Sequence, residues 1–280
     1  MATALTILMP GLDEFQVVTR RRRPGRRFFG NRLLGQFRHR IEPDINIEQV
    51  LRQVLDAVIA IRNSPYRQIL YNGLAESLSM LDVDVIPEIV CYGLGNFSEN
   101  RSAKYQLAAL LTMKSRYRSR VHIYDPIFFP KEIEVLKTLG LIIIETNEEA
   151  KRKAGDNITL FYMPHCYKGL VANCIYANWG EKINNCILMT NSFTEMSDDI
   201  IGDDADLRDA VELIRRINPY TSEIALEEKF DAAREAFHCT SIHIFPNELI
   251  NNVPDGFWTP LAAAPYHYQG IEHGREHNRD

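Results

Sequence analysis

Four short runs in this 280-residue chain combine residue types that can bind or transform a small molecule. The first is the turn Gly93-Leu94-Gly95-Asn96. Glycine carries no Cβ, so backbone amides there can approach a phosphate or carboxylate at the start of a helix. The spacing matches only G-x-G-x-x-S, with Ser98 where the dinucleotide fingerprint has its third small glycine. A plain tight turn between strand and helix is the alternative. The second run is Asp125-Pro126. An acid ending the second strand of a nucleotide-binding fold hydrogen-bonds a ribose. Asp125 lies farther beyond Gly95 than the roughly 20 residues of that pattern, and Asp-Pro is also an ordinary turn.

The third run, His165-Cys166, offers a base and a thiol. Adjacent side chains on an extended backbone point apart, so the two do not serve each other. A thiolate would need a separate base or a helix dipole. No Ser-His-Asp or Cys-His spacing is present, so no catalytic residue is assigned, and His165 is read as structural or as touching a ligand. The fourth run, Asn191-Ser192, supplies two polar side chains able to orient a substrate. The candidate cofactor contacts are therefore Gly93, Gly95, Asn96, Asp125, His165, Asn191 and Ser192. They suit a nucleotide or S-adenosylmethionine; the residue types also permit haem through Cys166 and a histidine, without selecting it. No metal site is expected, since Gly270 and Gly274 spoil the helix that would pair His273 with His277.

The elements that must position these runs follow from apolar periodicity. Ile45 to Ile61 and Tyr66 to Leu81 carry helical stripes separated by Ser64-Pro65, and give an N-terminal helical layer with Gly73 as its weak point. Short buried runs then mark strands at Ile89–Tyr92, Val121–Tyr124, Leu141–Glu145, Thr159–Met163 and Cys186–Thr190. Ile224–Leu226 and Ser241–Phe245 give two more. Helices are expected between them, over Ser98–Arg116, Pro130–Thr138, Asn147–Lys153, Leu170–Trp179, Asp206–Ile217 and Glu227–Phe237. Strands apolar on both faces and alternating with helices predict a doubly wound, mostly parallel Rossmann-like α/β sheet. In the order 3-2-1-4-5, the glycine turn and His165-Cys166 face each other at the carboxyl ends of the strands, where such sheets bind ligands.

Residues 1–44 read as a basic, flexible arm, 45–250 as the α/β domain and 251–280 as a polar tail. The arm holds Arg20-Arg21-Arg22-Arg23-Pro24-Gly25-Arg26-Arg27, a nuclear-localisation or nucleic-acid segment or a solvated linker. Nucleic-acid binding would rest on that segment alone, because the remainder is acidic. A second charge run, 195–212, holds eight acids against Arg208 and lacks the order of a calcium loop. Five scattered cysteines favour a reducing compartment. No apolar run approaches the roughly 20 residues that span a bilayer, so no membrane is expected.

The motifs in order, Cys91-Tyr92-Gly93-Leu94-Gly95-Asn96-Phe97-Ser98, Gln106-Leu107-Ala108, Tyr124-Asp125-Pro126, Phe161-Tyr162-Met163-Pro164-His165-Cys166, Asn178-Trp179 and Asn191-Ser192-Phe193, resemble the SRR1 domain of the "sensitivity to red light reduced" and SRR1-like proteins. The resemblance is strong over roughly 85–195. It implies a regulatory protein tied to circadian-clock input and gene expression, and in animals to haem biosynthesis, with protein partners and a cytoplasmic and nuclear location. It supplies no catalytic residues. A nucleotide- or S-adenosylmethionine-dependent transferase using the same crevice is the alternative reading.

Overall fold

The structure, a computed structural model, describes residues 43–198, 205–227 and 230–259. Two helices come first, α1 (Ile47–Arg62) and α2 (Pro65–Met80). The Asn46 side chain accepts the Gln49 amide at 3.0 Å and so caps α1. Proline at the first position of α2 needs no N–H partner there. Strands and helices then alternate through β1 (Glu88–Tyr92), α3 (Arg101–Tyr117), β2 (Arg120–Tyr124), α4 (Pro130–Thr138), β3 (Ile142–Ile143), β4 (Thr159–Tyr162), α5 (Lys168–Ala177) and β5 (Cys186–Asn191). The last elements are α6 (Phe193–Asp198), α7 (Ala205–Ile217), β6 (Ser222–Ala225), β7 (Thr240–Ile244) and α8 (Asn247–Ile250).

The strands form one seven-stranded sheet in the order β3-β2-β1-β4-β5-β7-β6. The first five run parallel, and β7 lies antiparallel between β5 and β6. This is the doubly wound, mostly parallel Rossmann-like fold expected from the sequence. Ile89 and Cys91 point to one apolar cluster with α1–α4, while Val90 and Tyr92 point to another with α5–α8. The first two helices thus belong to one face of the sheet. Gly73 lets α2 press onto it: a Cβ there would stand 3.0 Å from Leu226 and 3.1 Å from Ile242.

Three local expectations are corrected. Asn147–Lys153 is not a helix, because Glu149 and Ala150 take left-handed backbone (φ +49 and +60), which no right-handed helix admits. Buried asparagines in α5 and at its C-terminal cap hold that segment instead: Asn173 donates to the Glu149 carbonyl, and Asn178 accepts the Ala154 amide and donates to the Arg152 carbonyl. The helix expected over Glu227–Phe237 is a short 3₁₀ stretch, Asp231–Ala236, broken at Ala233. β3 shrinks to two residues at the sheet edge. Packing continues to Phe257, which is buried and stacks on Trp179. Among the described residues, no helix is long and apolar enough to cross a membrane. The Arg20–Arg27 segment, residues 199–204 of the acidic run and the tail from 260 lie outside the described residues.

Candidate functional site

The carboxyl ends of β1 and β2 are tied together first. Gly93 and Gly95 both adopt left-handed backbone, φ +68 and +82. Asp125, at the end of β2, accepts the Gly95 amide on Oδ2 at 2.8 Å and the Ile127 amide on Oδ1 at 3.0 Å. Both carboxylate oxygens therefore hold backbone. Burial raises its pKa, the two amides oppose that, and the charge of Glu132 adds to it. Asn96 is buried and donates to the Ile127 carbonyl at 2.6 Å and to Glu132 Oε2 at 2.8 Å. Glu132, fully buried at the start of α4, also accepts the Ser98 amide at 2.8 Å and the Phe129 amide at 3.1 Å. The sequence reading missed Glu132. Its signal was the spacing Pro130-Lys131-Glu132, which puts a glutamate where a helix's third residue reaches back to its own N-terminus.

The ends of β4, β5 and β7 meet beside it. His165 takes left-handed backbone at φ +57 and donates its amide to Asn191 Oδ1 at 2.9 Å. Its Nε2 lies 3.0 Å from the His238 carbonyl, which can only accept, so Nε2 carries the proton. Nδ1 is then bare and accepts from Gln106 Nε2 at 3.4 Å. That amide also donates to the Ala236 carbonyl at 2.9 Å, and Tyr162 Oη donates to the Gln106 carbonyl at 2.9 Å. Gln106, quoted only as part of a motif, thus joins α3, β4 and the 3₁₀ stretch. Loss of hydration lowers the His165 pKa, in keeping with a neutral ring. Cys166 points elsewhere, as expected, with Sγ on the Tyr92 carbonyl at 3.1 Å. A Cβ on Gly93 would come within 2.4 Å of that sulfur. Burial, with help from the Asp125 charge, pushes the Cys166 thiol well up, which favours its protonated form.

Ser192 leads into α6: its Oγ accepts the Glu195 amide at 3.2 Å, and its amide donates to the Cys239 carbonyl at 3.0 Å. A second polar group missed from sequence stands next to it on β6 and β7. His243 is fully buried, with Nδ1 3.2 Å from the Leu188 carbonyl and Nε2 between the Phe193 amide at 3.1 Å and Glu223 Oε2 at 3.6 Å. Burial opposes ionisation of Glu223, but the His243 ring together with Ser192 and Ser241 outweighs it and brings its pKa down to about 2. A histidine inside the otherwise apolar run Ser241–Phe245 was the available sign.

The structure brings all seven expected contacts to the carboxyl edge of the sheet, in two adjoining sets. Gly93, Gly95, Asn96 and Asp125 form one; His165, Asn191 and Ser192 form the other. The Gly93–Cys166 contact joins them. An open groove between α1 and the start of α3, lined by Gln53, Arg101 and Lys104 among others, includes none of the seven. Among the described residues, no group of three or more histidine, cysteine, aspartate or glutamate side chains could hold a metal ion.

Comparison with known proteins gives a family. The model of the SRR1 domain matches residues 74–244. The chain is 32% identical over 171 residues to Protein SENSITIVITY TO RED LIGHT REDUCED 1 of Arabidopsis thaliana, covering 60% of this chain and 62% of that one. It is 28% identical over 260 residues to the SRR1-like protein of Drosophila melanogaster, covering 89% of each. With the SRR1-like protein of Mus musculus it shares 36% identity over 116 residues, 40% of this chain and 47% of that one. The match thus spans less than two thirds of the Arabidopsis and mouse relatives. Among solved structures, the plantazolicin methyltransferase BpumL with a triazolic desmethylPZN analog and SAH aligns over 75% of this chain and 95% of that one, at TM-score 0.32 and 9% identity. That likeness is too slight to carry an argument.

Proposed function

The chain belongs to the SRR1 domain family, and on that premise we propose that it is a regulatory protein whose Rossmann-like body serves as scaffold and small-ligand sensor rather than as a catalyst. The role would be control of gene expression and circadian-clock input, of the kind that the red-light name of the Arabidopsis relative suggests, and in animals of haem biosynthesis. It would act through protein partners in cytoplasm and nucleus, with Arg20–Arg27 as the import segment. One observation supports this reading above the others. At the strand ends, where a fold of this type does chemistry, the acid, base and thiol are all engaged within the chain. Asp125 spends both oxygens on backbone amides, His165 both ring nitrogens, and burial favours the protonated form of Cys166. In the alternative, a nucleotide- or S-adenosylmethionine-dependent transferase, a ribose hydroxyl would share a carboxylate oxygen of Asp125 with the Gly95 or Ile127 amide.

The test is complementation of cells lacking the protein, read by transcript profiling, with wild type and Cys166→Ala. A scaffold predicts full rescue by both, and no consumption of S-adenosylmethionine by the purified full chain. Loss of rescue by a stably folded Cys166→Ala, or measurable turnover, would replace the regulatory reading with the enzymatic one.

A further inference from the structure

Two buried hydroxyls of the strand-end network make no hydrogen bond, Ser98 Oγ and Thr240 Oγ1, and only the second has an unused side-chain donor as its cross-strand neighbour. Asn191 ends β5 and is the register partner of Thr240, the first residue of β7. Cross-strand partners project from the same face of a sheet, so the two side chains are neighbours. The Thr240 hydroxyl is buried, the residue being 2% exposed, and makes no hydrogen bond. Asn191 uses Oδ1 on the His165 amide, which fixes the orientation of its amide group. No bond is made by its Nδ2 among the described residues.

A buried polar group without a partner costs about 1–3 kcal/mol, so nearly all in folded proteins are satisfied by protein, water or ligand. The backbone around this pair is also unusual. His165 and Cys239 are both non-glycine residues in left-handed backbone, φ +57 and +52. The first bonds Asn191, and the second directly precedes Thr240. His165 is exposed and Asn191 half-buried, so solvent reaches this group, while Thr240 is enclosed.

We propose that Asn191 and Thr240 form a receptor for the carbonyl oxygen of a small neutral molecule, a carboxamide or a pyrimidine-type ring. The inference rests on the ligand-sensing part of the function proposed above. The donors set the class: Nδ2 gives an N–H and the threonine an O–H, so the ligand supplies an acceptor oxygen. Charge decides against a carboxylate. Asp125, Glu132 and Glu223 put acids at these strand ends, and His165 is neutral in its bonded form, so an anion would meet negative groups and a neutral ring rather than a histidine cation.

The experiment uses the full chain and titrates nicotinamide, uridine and acetate, followed by chemical-shift changes and thermal shift. S-adenosylmethionine, NAD and haem are run alongside as a general panel. Wild type is expected to bind nicotinamide or uridine and not acetate. Thr240→Val, which keeps the shape and removes the hydroxyl, should weaken that binding about tenfold, the worth of one to two hydrogen bonds. Thr240→Ser should restore it. Equal binding by wild type and Thr240→Val, or preference for acetate, overturns the carbonyl receptor and leaves the sensor reading standing. So does binding only of a general-panel member, unaffected by Thr240→Val. Silence of every compound overturns both the receptor and the sensor.

Discussion

The two adjoining halves of the strand-end edge are built from the same residue types and are finished differently. Around β1 and β2, Asp125, Asn96 and Glu132 bond a set of backbone amides and carbonyls, and the carboxylate oxygens of Asp125 and Glu132 are all engaged. Each half keeps one buried hydroxyl without a bond, Ser98 Oγ in the first and Thr240 Oγ1 around β5 and β7, but only Thr240 is paired across the strands with a second unused donor, Asn191 Nδ2. Polar residues at a strand end are therefore not equivalent evidence of a site. Those whose bonds stay inside the chain fix loops, and those left with unused donors are the ones a ligand can reward.

The comparison breaks most severely at Glu132. Replacing it with alanine strands the Asn96 amide and the Ser98 and Phe129 N–H groups in the interior. Unfolding in denaturant should show a loss of about 3–5 kcal/mol, since each buried donor left unpaired costs about 1–3 kcal/mol. Glu132→Gln keeps one acceptor oxygen and should lose less. A loss below about 1 kcal/mol for the alanine variant would mean that water already reaches this hub.

Gly93→Ala comes next. The new methyl would meet Cys166 Sγ at 2.4 Å, in a backbone with φ +68. Overpacking and the left-handed backbone together should cost about 2–4 kcal/mol. The double variant Gly93→Ala/Cys166→Ala should recover the steric share, leaving the backbone cost. Additive losses in that cycle would show that sulfur and turn do not touch.

Much of this was legible in the sequence, and the rest was hidden for a common reason. Each strand is a short run of apolar residues facing two helical layers, and burial on both faces writes itself into composition, so sheet and order could be read. Asn147–Lys153 misled because its asparagine, glutamates, alanine and lysines favour a capped helix locally. What overrides them lies in α5 and at its C-terminal cap, in the amides of Asn173 and Asn178. Glu132 looked like an ordinary first-turn acid, since its partners Asn96 and Ser98 precede it by more than 30 residues. The seven strand-end residues could be placed together from topology alone. Which of them still had donors to spare depended on contacts from Gln106, His238 and Glu132, which no spacing rule announces.

Acid separates the halves by another route. Glu223, beside Ser192, ionises at about 2 in the folded chain against an ordinary value of 4.5. Such a depressed carboxylate contributes stability that is complete above the unfolded value and disappears as pH falls through the folded one. Wild type should therefore lose stability steadily between about pH 5 and pH 2. Glu223→Gln should be less stable at neutral pH and flatter across that window. Parallel curves for the two proteins would show that the carboxylate gains nothing from Ser192, Ser241 and His243.

The smallest effect is the sharpest, because its sign differs between two threonines of the same pair of strands. Thr190, on β5, is fully buried and donates Oγ1 to the Met163 carbonyl at 2.9 Å. Thr240, on β7, is equally enclosed and donates to nothing. Valine is close to threonine in shape, so Thr→Val removes a hydroxyl and little else. Thr190→Val gives up a hydrogen bond and should cost about 1–2 kcal/mol. Thr240→Val removes a polar atom that the unliganded fold does not satisfy, and should leave stability unchanged or raise it by up to about 1 kcal/mol. Thermal unfolding of the two variants side by side decides it. If both fall by similar amounts, an ordered water already satisfies Thr240, and the two halves of the edge are finished alike after all.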